Sequence, residues 1–111
     1  MVNGGFWGEF HQWNWNGFQC HWRVLGEKNN PPIVFIHGFG ASSAHWRNNA
    51  EFFVKEGYRV YSIDLIGFGI SEQPAPDKQK KLDNFFWAKQ VSAFLNEIVG
   101  RAHQEKAVLI G

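Results

Sequence analysis

Two short stretches hold most of the groups that could do chemistry, His37-Gly38-Phe39-Gly40-Ala41-Ser42-Ser43 and Asp64-Leu65-Ile66-Gly67-Phe68-Gly69-Ile70-Ser71. The first has a G-x-G spacing that matches the opening of a G-x-G-x-x-G dinucleotide fingerprint, and Asp64 stands where an acid would reach a ribose hydroxyl. Against a nucleotide-binding, Rossmann-like reading, Ser43 takes the third glycine position, where glycine normally permits close helix–strand packing. His37, Asp64 and Ser71 are also the residue types of a base, an acid and a nucleophile. Ser71, however, lacks the strand-turn-helix elbow that exposes a catalytic hydroxyl.

The remaining reactive side chains give less. Cys20 is the single cysteine, which excludes an intrachain disulfide and a multi-cysteine zinc site. His11, His21, His45 and His103 are scattered, and no His, Cys or carboxylate set has metal-ligand spacing. No metal and no cofactor are expected. Lys78, Lys80 and Lys81 read as a solvated loop face.

These groups need elements to position them. Residues 10–25 alternate around Asn16-Gly17, a dipeptide suited to a tight turn, and predict an antiparallel hairpin. Ile33-Val34-Phe35-Ile36 is a short apolar run of the kind covered on both faces, ending at His37-Gly38. Ser42 or Ser43 can cap a helix whose stripe is Trp46, Ala50, Phe53 and Val54, stopped by Gly57. Trp46 reads as core rather than as a substrate contact. A second buried strand spans Tyr58–Leu65, followed by a loop from Ile66 to Leu82 rich in glycine, proline and lysine. Asp83 caps a helix with Trp87, Val91, Phe94, Leu95 and Ile98 inward and Gly100 near its end, and a last strand runs from Lys106 to Ile110. The expected class is α/β, an antiparallel hairpin followed by a βαβαβ parallel sheet. Ligands bind such sheets beyond the carboxyl ends of the strands, here His37-Gly38, Asp64-Leu65 and Gly111.

Composition fits one globular unit. The chain has 111 residues and a net charge of +1, with 44% hydrophobic and 17% aromatic residues, enough apolar material for a core. A balanced charge offers no basic footprint for nucleic acid. No apolar run reaches the roughly 18 residues of a membrane span, and the N-terminus has no signal-peptide pattern. A cytoplasmic protein is expected.

His-Gly at a strand end, the following helix with Trp46, the Asp64–Ser71 stretch and a last strand ending in glycine together resemble the N-terminal part of the α/β-hydrolase fold. HGFGASSAHWRNN, DLIGFGISEQP and the WNWNGF and WRVLGE lead-in are similar to an esterase-like branch common in cyanobacteria and chloroplasts, over residues 11–111. The resemblance implies one partial domain over residues 1–111, with a hairpin at 1–29 and a βαβαβ portion at 30–111. It implies that Gly38 turns the backbone so that the Phe39 N–H becomes one oxyanion-hole donor, with His37 supporting that loop rather than acting as base. Asp64, Gly67, Gly69 and Ser71 become structural residues of the second loop.

Val108-Leu109-Ile110-Gly111 matches the approach to a G-x-S-x-G nucleophile elbow, with Gly111 as its first glycine. The resemblance therefore places the nucleophile, triad acid and catalytic His outside these residues, so the chain reads as truncated and catalytically silent alone. The implied activity is carboxylic-ester hydrolysis of a small, lipophilic substrate, with dehalogenases and epoxide hydrolases, which use an Asp nucleophile, as relatives. A non-catalytic remnant or interaction protein is the alternative. The last strand, left as an exposed apolar edge, is expected to make the chain marginally stable and prone to associate.

Overall fold

The computed structural model describes residues 7–37, 46–67, 82–103 and 106–111. Two strands, β1 (Glu9–Trp15) and β2 (Phe18–Leu25), form the hairpin. Asn16 and Gly17 both have positive φ, 54° and 82°, the two-residue turn whose twist matches the strands it joins. The core follows as β3 (Pro32–Ile36), α1 (Arg47–Lys55), β4 (Arg59–Ile63), α2 (Asn84–Phe94) and β5 (Val108–Ile110).

Among the described residues five strands lie in one mixed sheet, ordered β1-β2-β4-β3-β5. The hairpin is continuous with the core, because β2 pairs antiparallel with β4 from Trp22↔Ile63 to Leu25↔Val60. β4, β3 and β5 are mutually parallel. From β3 the chain steps one way to β4, then back past β3 to β5. Crossovers of one hand therefore put α1 and α2 on opposite faces.

The side chains follow that division with the period of two that strands impose. Ile33, Phe35 and Val60 pack with Ala50, Trp46 and Phe53 on the α1 face. Val34, Tyr61 and Ile63 pack with Phe94, Val99 and Trp87 on the α2 face. β3, buried at its first four residues, is covered on both sides as its sequence predicts. Trp46 lies in the core, its ring stacked on Phe35 at 4.7 Å.

Helix ends follow local chemistry. α1 closes with a Schellman motif, Tyr58 N–H donating to the Phe53 carbonyl and Gly57 N–H to that of Val54, both at 3.1 Å. Gly57 takes the φ of 94° that this closure needs, and Phe53 meets Tyr58 ring to ring at 5.9 Å. Asp83 caps α2 by accepting from Phe86 N–H at 2.9 Å.

Two departures concern the chain's last third. Beyond Phe94 the helix widens into a π segment, Leu95–Val99, before a closing turn at Gly100–Ala102. The widened turn holds an extra residue, so Val99 becomes fully buried while Leu95 and Ile98 stay half-buried, and the α-helical spacing fails there. Gly100 suits the segment, since its N–H donates to Leu95 O and a Cβ there would lie 2.8 Å from that oxygen. The last strand is three residues long rather than five, with Lys106 and Ala107 leading in unpaired.

Candidate functional site

The carboxyl ends of β3 and β4 are joined by one side chain. His37, 4% exposed, accepts the Leu65 N–H at its Nε2, 3.0 Å away. An acceptor nitrogen carries no proton, so the tautomer that makes this bond has its hydrogen on Nδ1. His37 thus spends the nitrogen that a general base would need on holding the turn after β4.

α2 grips the same turn from the other side. Gln90, wholly buried, accepts from Ile66 N–H at 3.0 Å and donates to the Asp64 carbonyl at 3.2 Å and to Cys20 Sγ at 3.6 Å. Trp87 Nε1 donates to the Ile66 carbonyl at 2.9 Å. The Asp64 N–H in turn donates to His21 O at 2.9 Å, extending the β2–β4 ladder. Backbone groups of Asp64, Leu65 and Ile66 that a buried turn would leave unpaired are met by side chains, each saving on the order of 1–3 kcal/mol of desolvation. Gly67 follows with a φ of 93°.

Asp64 itself is 1% exposed. Its charge acts on Arg23 of β2, a residue only 3% exposed whose Nη1 donates to Trp7 O at 3.3 Å and whose guanidinium lies 3.9 Å from the Phe10 ring centre. Burial pulls the Arg23 pKa below its usual range, and attraction to Asp64 offsets part of that fall. A carboxylate so enclosed is not presented to a ribose, which removes the acidic half of the dinucleotide reading.

Among the expected site residues, the structure brings His37 and the Asp64–Gly67 turn together. Gly38, Phe39, Gly69 and Ser71 lie outside the described residues, as do His45, Lys78, Lys80 and Lys81. His11 contacts Glu9 at 3.3 Å, and His103 Nε2 meets the Tyr61 hydroxyl at 2.8 Å. Among the described residues no three His, Cys, Asp or Glu side chains are placed to hold a metal ion. No helix there is long and apolar enough to cross a membrane.

Gln90 and Trp87, which hold the turn, and Arg23, the buried cation beside Asp64, were not singled out by sequence for these roles. Gln90 carried a signal, being a polar residue three after Trp87 and four before Phe94 on an apolar stripe. Arg23 carried one too, alternating with Trp22 and Val24 so that it points to the other face.

A strand-end histidine tied to the next strand's turn, within a mixed sheet of this order, is the framework of an α/β hydrolase. A sequence model of the alpha/beta hydrolase fold matches residues 31–111, and the chain belongs to that family. It is 33% identical over 96 residues to mouse (Mus musculus) epoxide hydrolase 4, covering 86% of this chain and 25% of that protein. It is 31% identical over 101 residues to the AB hydrolase superfamily protein YfhM of Bacillus subtilis, covering 88% and 32% respectively. The crystal structure of epoxide hydrolase VrEH1 from Vigna radiata superposes with a TM-score of 0.72 at 25% identity, over 82% of this chain and 28% of that one. The chain spans a quarter to a third of the length of these two curated relatives.

Proposed function

We propose that these residues build the oxyanion-hole side of a carboxylic-ester hydrolase site. The observation that carries the reading is the bond from Leu65 N–H to His37 Nε2, which holds the β3 end in register with the β4 turn. A backbone donor placed just after His37 then sits on a rigid support. In this reading Gly38 turns the chain and the Phe39 N–H donates to the oxygen that becomes negative in a tetrahedral intermediate. A donor aimed at that charge lowers the barrier by roughly 3 kcal/mol, because it gains more from the transition state than from the substrate. Asp64, Gly67, Gly69 and Ser71 keep the second loop in shape.

The reading assigns no nucleophile, acid or base within residues 1–111, so this polypeptide alone gives no turnover. It treats the chain as one partial domain of a cytoplasmic protein acting on a small lipophilic ester, without nucleic acid. Val108 and Leu109, 54% and 50% exposed at the sheet's end, provide an edge through which copies associate.

The test is hydrolysis of p-nitrophenyl butanoate. The chain alone should not exceed the buffer rate. Joined to the remaining part of an α/β-hydrolase domain that supplies a G-x-S-x-G elbow, an acid and a His, it should turn the ester over. Phe39→Pro, which deletes the N–H, should then cut kcat by roughly 10²–10³-fold with little change in KM, while Phe39→Ala keeps it. Hydrolysis by the chain alone, or an indifferent proline variant, defeats the reading. The epoxide hydrolases among the relatives favour a second reading, opening of an epoxide by an Asp nucleophile. Styrene oxide in place of the ester separates the two.

A further inference from the structure

A cavity of about 510 Å³ lies along the hairpin side of the sheet, where the β2–β3 turn, the start of β4, the tail of the α2 helix and the His11–Trp22 pair of the hairpin meet. This side is away from the β5 edge.

Its charges are unbalanced. Arg59 opens β4, and its Nη1 is committed to the Gly26 carbonyl while its guanidinium lies 5.7 Å from the Tyr61 ring centre. These contacts fix the group. Nε is enclosed and makes no hydrogen bond, and the side chain lines the cavity. Lys28, exposed on the β2–β3 turn, adds a second cation. The lining carboxylate, Glu9, lies 3.3 Å from His11 Nε2, so two cations face one carboxylate. The other wall is apolar. Trp22 stands there, stiffened by stacking with His11 at 4.3 Å, and Ile98 is supplied by the π segment.

We propose that this cavity binds a compact organic monoanion with an apolar body, of the aromatic carboxylate class. Arg59 and Lys28 hold the carboxylate, and the Trp22–Ile98 wall packs against the body. A volume of this size suits a small molecule, and a few convergent polar groups against an apolar lining are the usual make-up of such sites. Glu9 at the rim disfavours a polyanion such as phosphate. The site shares no residue with the oxyanion-hole reading, so each can fail without the other.

The test is an NMR titration of the ¹⁵N-labelled 111-residue chain with sodium benzoate, following the Trp22 indole and the Lys28 and Arg59 amides. Parallel titrations use benzyl alcohol, which lacks the charge, and inorganic phosphate, which lacks the ring. Saturable benzoate shifts are expected, with neither control reproducing them. Arg59→Met should weaken binding about tenfold by removing a charge-assisted hydrogen bond. Because Arg59 also braces Gly26, the deciding variant is Lys28→Ala on the exposed turn, expected to weaken binding severalfold. Unsaturable shifts, equal shifts with benzyl alcohol, or unchanged affinity in Lys28→Ala overturns the proposal.

Discussion

Gln90 accepts the Ile66 amide proton at 3.0 Å from inside α2, so a helix on one face of the sheet fixes the turn at its carboxyl end. The side chain works because an amide offers both an acceptor and donors. Its other end reaches the Asp64 carbonyl two residues earlier in the same turn.

Replacing Gln90 by Leu keeps most of the volume and removes from the core the acceptor of the Ile66 N–H and a donor to the Asp64 carbonyl. A loss of about 3 kcal/mol is expected from urea unfolding, two buried groups each contributing on the order of 1–3. Gln90→Glu should fall between at low pH, where the protonated carboxyl accepts from Ile66 N–H and donates to Asp64 O, and should lose stability as rising pH ionises the buried group.

His37→Phe removes the acceptor for Leu65 N–H. Hydrogen exchange at the Leu65 amide should accelerate more than exchange at Val34 in mid-sheet, because the lesion is local. Equal acceleration at both would mean that His37 supports the whole sheet instead.

Arg23→Lys probes the buried cation. Burial depresses the pKa of such a group in the folded state. Between the depressed folded value and the ordinary lysine value of about 10.4, the unfolded chain binds more protons, so stability must rise with pH across that window. The variant should be less stable than the parent at pH 7 and close part of the gap by pH 10. Thermal melts at both pH values measure this, and a gap that widens with pH would contradict it.

Gly100→Ala places a Cβ 2.8 Å from Leu95 O, which the π turn cannot accept unchanged. The helix should either lose about 1 kcal/mol or relax toward α geometry. Relaxation would disturb the 3.3 Å bond from Trp13 Nε1 to Glu97, visible as a shift of the Trp13 indole resonance.

Most of the framework was legible because it rests on local rules. The Asn16-Gly17 turn, the Asp83 cap and the Gly57 stop each depend on a few neighbouring residues, and all three stand where the sequence puts them. His37 was legible only as a type of residue in a family-like position. Its partner, Leu65, lies 28 positions away and contributes a backbone group that no side-chain pattern advertises. Gln90 was missed because an apolar stripe is read by its apolar members, and the π segment because α-helical periodicity assumes an unbroken turn.

The grip on residues 64–66 also sets an order of events during synthesis. The turn leaves the ribosome well before Trp87 and Gln90, which hold it, and at 5–20 residues per second the delay to Gln90 is roughly 1 to 5 s. For that interval β4 can pair with β2 and β3, yet the carboxyl end of the sheet lacks its fastening from α2. The nascent chain thus passes through a stage in which the strands are assembled and the polar groups of Asp64 and Ile66 still face water.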